Sequence, residues 1–454
     1  MSALRHTLAS ASPRILRLWW LNPAWLFAVV LGTTLLIAFL QGEGAYDRHG
    51  TPKYIETKHV LFGIMGILAY MLGARLDARI GGPPRATPSE ARRVVRFWFW
   101  LTFALTLFGY TFWVTQAIRQ GFSVDMLDEI IADAGEAEDM VRNKWFTTIP
   151  GVTTCVQFAV PTILLGSWLL VNGERRVIVP MALILSLAVV RALVWQERLT
   201  VLELVVPAFV LGLRARVLVR PFAAGLRTLL QLAPLLGVVA LLVIFGGAEY
   251  FRSWSYYQDQ FDSVAEFTVW RVTGYYTSSH NNGAMYLETQ EPLPLPYWTL
   301  RPLWKFPGMS ETPFGYQELT GVDAAETQLT MLDRYGTREL NNEGGLFMPI
   351  VDFGLIGGIV FWFAAGFVGG RLYRCFLAGT LAGLTMYPLV VLATLEAPRL
   401  LYLSYTRAFP GVVSVLVVLW IASRLPSVVT AVGPRPRIVW RLGDAIRAED
   451  TRHG

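Results

Sequence analysis

Apolar residues in this chain come in long unbroken runs rather than in alternation. Ten runs are long enough, at about 18 residues or more, to cross a bilayer as helices. They lie at about 22–40, 58–75, 96–115, 148–170, 177–194, 200–218, 228–247, 346–370, 375–395 and 406–424. One polar and aromatic stretch, Glu249–Gly345, interrupts the series after the seventh run. The short alternating segments of a membrane β-barrel, about 10 residues each, are missing. The pattern therefore predicts an all-α polytopic membrane protein with about ten transmembrane helices and one large extracytoplasmic loop between helices 7 and 8. It divides into a seven-helix block over 1–247, the loop over 248–345, a three-helix block over 346–424 and a tail over 425–454.

Composition agrees with this division. The 454 residues are 54% hydrophobic, with a mean hydropathy of +0.44, too apolar for a soluble domain. The formal charge of +6 is no sign of nucleic-acid binding, because the arginines gather in short inter-helix loops and the tail. Arg5, Arg14 and Arg17, then Arg79, Arg85, Arg92, Arg93 and Arg96, then Arg175 and Arg176, Arg214–Arg227, Arg371 and Arg374, and Arg435–Arg441 all fall on one side of a ten-span chain. The positive-inside rule makes that side cytoplasmic, with both termini inside. The first run is read as a span and not a signal peptide, since no small-residue cleavage site follows it. Cys155 and Cys375, the only cysteines, are expected near opposite surfaces, too far apart for a disulfide. No Cys/His cluster has metal-ligand spacing, so no cofactor is expected.

Ionisable residues at the edges of apolar spans are costly and often functional. Here they gather at the outer edge: Arg191, Glu197, Arg198, Glu203, Asp352, Glu396, Arg399 and Arg407. Pairs such as Glu396 and Arg399, spaced i,i+3, could simply lock helices together. Several arginines on one side also suit a phosphate or pyrophosphate, which the guanidinium fork grips in two places. The acidic loop with Asp125, Asp128, Glu129, Asp133, Glu136, Glu138 and Asp139 reads as a solvated face. Asp352-Phe353-Gly354 matches a kinase triplet without the rest of a kinase signature. Gly354, Gly357, Gly358, Gly366 and Gly370 read as close helix packing.

Within the loop, 250–272 has helical spacing of Tyr257, Phe261, Val264 and Phe267. The following stretch, Arg271–Gly283, reads as a poor helix and a binding loop, with His280 as a candidate general base. Six prolines between Pro292 and Pro313 forbid a regular helix there. Their interleaved aromatics Tyr297, Trp298, Trp304, Phe306 and Phe314 suit either the membrane interface or the faces of sugar rings. Asn341, Asn342 and Glu343 are suited to hydrogen-bonding a hydroxyl-rich ligand.

Two segments, Asn342–Gly358 and Trp195–Glu203 (with Arg198 in a turn before a helix), together with the late large loop, resemble the Wzy-type O-antigen and oligosaccharide repeat-unit polymerases. The WaaL-type ligases share the layout. The resemblance covers the architecture from about residue 150 to 425 and implies transfer of a polyprenyl-diphosphate-linked glycan to a sugar hydroxyl, in a bacterial cytoplasmic membrane, without metal or nucleotide sugar. Its partners would be polyprenyl-diphosphate-linked glycans, membrane lipids, a chain-length regulator and a flippase, and no nucleic acid. It requires cations for the leaving diphosphate, for which Arg191, Arg198, Arg271, Arg399 and Arg407 are candidates. It also requires a proton acceptor, for which His280, Glu203 and Glu343 are candidates. Other readings of the same chain are a different polyprenyl-linked sugar transferase, with Glu43, Asp47 and Glu56 in its first outer loop, and a lipid-linked glycan flippase or transporter.

Overall fold

The computed structural model describes residues 18–80, 87–88, 90–123, 125–126, 140–149, 151–195, 199–219 and 224–425. Among them it is all-helical, with no strand. The α-helices are α1 Pro23–Leu40, α2 Glu43–Asp47, α3 Thr57–Ile80, α4 Ala91–Arg119, α5 Ala159–Val171, α6 Ile178–Val194, α7 Leu199–Val219, α8 Ala224–Gln231, α9 Ala233–Tyr257, α10 Val264–Thr289, α11 Arg301–Trp304, α12 Tyr316–Thr320, α13 Ala324–Tyr335, α14 Met348–Ala378, α15 Leu381–Glu396 and α16 Phe409–Arg424. Helix accounts for most of each expected run, although the fourth is helical only from Thr153, the seventh is broken at Leu232 and the ninth at Gly379 and Thr380. Six helical stretches among the described residues are long and apolar enough to cross a membrane: Pro23–Leu40, Thr57–Asp77, Ala91–Arg119, Thr153–Val171, Arg175–Val194 and Met348–Ala378. Ala233–Gly247, α15 and α16 are shorter apolar helices.

Local chemistry sets the ends of these helices. Asn22 caps α1 by accepting from the Ala24 N–H, with Pro23 in the first turn. Thr380 caps α15 in the same way through the Gly383 N–H. Ser263 accepts from the Glu266 N–H, and Glu266 reaches back to the Asp262 N–H, so α10 starts afresh after the break that follows α9. The expected glycine packing is present where α14 lies along α3. A Cβ on Gly366 would collide with the Tyr70 carbonyl oxygen, and one on Gly73 with that of Phe363. Gly354 does something else: with φ 70° it kinks α14 nearly two turns after its start.

Two main cores result. One joins α4, α5, α6, α7, α15 and α16 through residues such as Phe99, Leu164, Ile184, Leu211, Tyr387 and Val415. The other joins α1, α3 and α14 to α10 and to the segment 290–345, through Phe27, Tyr70, Trp362, Tyr286, Tyr297, Trp298 and Tyr316. Segment 290–345 thus shares its core with the bundle and lies over one end of it as a lid. Asp352, near the start of α14, fixes that lid. Its Oδ1 accepts from the N–H groups of Tyr297 and Trp298, and its Oδ2 from the N–H and hydroxyl of Thr299.

The stretch Arg271–Gly283 departs from expectation: it is helix, not loop, inside α10. Thr277 through Tyr286 are buried without interruption. Small and polar side chains there permit close approach to other segments rather than a loop. Asn281 accepts from the N–H groups of Tyr54 and Ile55 and donates to the Pro52 carbonyl. Asn282 donates to the carbonyls of Leu340 and Asn342. Partners that lie about 60 to 230 residues away in sequence override the weak helix propensity of the stretch.

Candidate functional site

The lid end of the bundle gathers buried charge where α7, the α15–α16 connection and the lid meet. Glu203, one turn into α7, accepts from Arg407 Nε at 2.8 Å and from the Tyr402 hydroxyl at 3.0 Å. Arg407 also donates to the Thr200 hydroxyl. Arg399 Nη1 meets Glu396 at 2.9 Å, with its guanidinium 5.7 Å from the Tyr275 ring centre. Arg191, at the end of α6, lies over the rings of Trp113 and Trp195 at 5.0 and 5.3 Å. Arginine is weakly hydrated and stacks on aromatic faces, so such boxes hold it away from water.

The lid contributes the remaining members. Arg301 Nη1 pairs with Glu343 at 3.0 Å, and both side chains are at least nine-tenths buried. The Arg301 guanidinium lies 4.6 Å from the Trp298 ring centre and 5.6 Å from that of Tyr405. Its Nε and Nη2 are buried without a hydrogen-bond partner. Tyr405 stands between the groups: burial raises its phenol pKa first, and the charges of Glu343, Arg301, Arg399 and Glu203 all act on it. Lys305 follows on the lid, and burial together with Arg301 holds its ammonium below the ordinary lysine range.

Glu343 is placed by backbone geometry. The Gly344 N–H donates to the Arg399 carbonyl at 2.8 Å. Gly344 has φ +74° and lies so close to α10 that a Cβ would collide with the Ser279 carbonyl oxygen. Only glycine fits, and it sets Glu343 between α10 and the α15–α16 connection.

Beside this cluster opens a cleft of about 490 Å³. Its wall is mainly apolar, with Val156, Phe158, Phe306, Phe409, Pro410 and Val413, and carries two cations, Arg191 and Lys305. Five cations of the cluster and cleft (Arg191, Arg301, Lys305, Arg399 and Arg407) stand against three carboxylates (Glu203, Glu343 and Glu396) among the described residues. Positive charge in excess beside an apolar wall suits an anionic head group carried on a hydrocarbon chain.

Of the residues expected at a site, Arg191, Glu203, Glu343, Arg399 and Arg407 are brought together here. Arg198 lies outside the described residues. Arg271 forms its own group with Glu249 at 3.2 Å and Glu339 at 2.6 Å, and is linked to the cluster through Tyr275, which both Arg271 and Arg399 approach. His280 stands apart. It is fully buried in α10, its Nε2 lies 2.9 Å from the Thr34 hydroxyl of α1, and burial pushes its pKa down to about 3. A neutral imidazole in a helix contact is poorly placed to take a proton from a ligand in the cleft.

Arg301, Lys305, Tyr402 and Tyr405 were not anticipated. The signal for the first two was present as two cations within a proline-rich aromatic run, but the prolines and rings drew the interpretation. No protein-family model, curated protein or solved structure matches the chain.

Proposed function

We propose that this chain is a membrane glycosyltransferase that polymerises oligosaccharide repeat units carried on a polyprenyl diphosphate, at the outer face of a bacterial cytoplasmic membrane. The observation that carries this reading is the excess of cations over carboxylates, five against three, beside an apolar cleft at the lid end. In this reading the bundle crosses the membrane ten times, with both termini in the cytoplasm and the lid outside, an orientation that the arginine distribution of the sequence supports. The polyprenyl chain lies along the apolar wall, and Arg191, Arg301, Arg399 and Arg407 hold the diphosphate. A hydroxyl of the acceptor glycan attacks the anomeric carbon. The carbon–oxygen bond to the diphosphate breaks, the polyprenyl diphosphate leaves, and the hydroxyl proton passes to a carboxylate. Glu343, at the end of the lid, takes that proton, and Glu203 holds Arg407 and Tyr402 in place. His280 and Arg271 tie α10 to its neighbours.

The test is genetic and direct. In a strain deleted for the gene, surface glycan typed on a gel should collapse to single repeat units, and the wild-type gene should restore the long-chain ladder. Arg301→Ala and Glu343→Gln should each fail to restore it, by at least tenfold in long-chain material, while remaining in the membrane at wild-type level. Normal long-chain polymer in the deletion strain would sink the proposal.

A further inference from the structure

Lid aromatics divide into two groups by exposure. Tyr297, Trp298 and Tyr316, whose rings carry polar handles, are buried in the core. The large exposed hydrophobic side chains of the adjoining turn, Leu300, Leu303 and Phe306, offer hydrocarbon alone and are 37%, 48% and 49% exposed, with the exposed Lys305 beside them. They stand on one face, because the Leu303 N–H donates to Leu300 and the Phe306 N–H to Leu303, a spacing of three in a tight helical turn. A surface for sugar rings combines Trp or Tyr faces with hydrogen-bonding groups. The stripe of Leu300, Leu303 and Phe306 has neither.

The stripe is also continuous with a lipid-facing surface. Phe306 packs edge-on against Phe409 in the first turn of α16, with ring centres 5.9 Å apart. Along α16 the exposed line continues through Val413, Leu416 and Trp420, which share one helix face. Phe306 and Val413 both border the cleft. We infer that Leu300, Leu303 and Phe306 bed the lid into the bilayer interface beside α16, so that the cleft opens toward lipid rather than toward water. An exposed hydrocarbon stripe that extends a membrane helix is thereby covered. A ligand with a long hydrocarbon chain then enters sideways without leaving the bilayer.

The inference rests on membrane placement of the bundle and not on any transfer reaction, so it can fail or hold independently of the proposed function. Full-length protein carrying Cys155→Ser, Cys375→Ser and Leu303→Cys is labelled with the fluorophore NBD. It is then reconstituted in phosphatidylethanolamine–phosphatidylglycerol vesicles. Lipids bearing a doxyl group at carbon 5 should quench the label at least twofold more strongly than aqueous iodide does. Iodide quenching equal to or above that of the doxyl lipid would overturn the inference. Protection from both quenchers would also overturn it, since a protein surface would then cover the stripe. Leu300→Cys on the same background gives the same reading if Leu303→Cys does not fold.

Discussion

His280 and His49 show how much the surroundings of a side chain decide what it can do. Both are buried histidines at helix contacts, and neither faces the cleft. His280→Gln keeps a hydrogen-bonding group opposite Thr34. It should therefore leave glycan chain length unchanged while lowering thermal stability in detergent by about 1–3 kcal/mol. Loss of long-chain glycan with an unchanged melting temperature would instead restore His280 to the chemistry. His49 stacks on Trp270 at 4.7 Å and fills the space that a side chain on Gly274 would need. Burial, then the charges of Arg271 and Arg48, depress its pKa to about 4, with Glu339 opposing. A histidine depressed in the folded state takes up its proton first on unfolding. Its effect is absent above the unfolded value of about 6.5, and stability falls as pH drops from there toward 4, by roughly 3 kcal/mol in all. Melting curves of wild type and His49→Gln between pH 7.5 and 4.5 should therefore converge or cross as pH falls. Parallel curves would refute the assignment.

Elements were legible to different degrees, for physical reasons. Long apolar runs fix their own helices, because backbone groups in lipid must be satisfied within the segment. The apolar runs therefore appear largely as helix, six of them long and apolar enough to cross a membrane among the described residues, although the fourth run is α-helical only from Ala159 and the ninth is broken before Leu381. Segment 271–283 was misread because its helix is held by contacts distant in sequence, such as Asn281 with residues 52–55. Local propensity cannot register these. The lid was legible as irregular, but its anchor was not. Asp352 looked like one more charge at a span edge, whereas it collects four hydrogen bonds from three consecutive lid residues. Asp352→Asn turns one of those acceptors into a donor facing the Thr299 N–H and hydroxyl. It should cost about 2–4 kcal/mol and raise amide hydrogen exchange over 295–305 at least tenfold, with the exchange of α4 and α5 unchanged. Uniform exchange across the chain would show that Asp352 acts on the whole fold rather than on the lid.

On the scale of the whole molecule, residues of one small region come from distant parts of the chain: Arg191 ends α6, Glu203 begins α7, Arg301 and Glu343 belong to the lid, and Arg399 and Arg407 lie between the last two helices. The sequence showed that these charges share one edge of the bundle, because alternating spans return them there. It could not show which carboxylate pairs with which arginine, since that depends on how helices pack side by side. The strap at Gly344 bears on how such a molecule is made. α10 can dock onto α1 and residues 52–55 as soon as it leaves the ribosome, because those partners already exist. The Gly344 N–H and Glu203 must wait for Arg399 and Arg407, which come more than fifty and just over two hundred residues later. Until α15 and α16 have inserted, the cluster has the carboxylates Glu203 and Glu343 without two of its arginines. Completion of the charged cluster thus waits for the α15–α16 connection, and a protein truncated before Arg399 would lack two of the cluster's five cations.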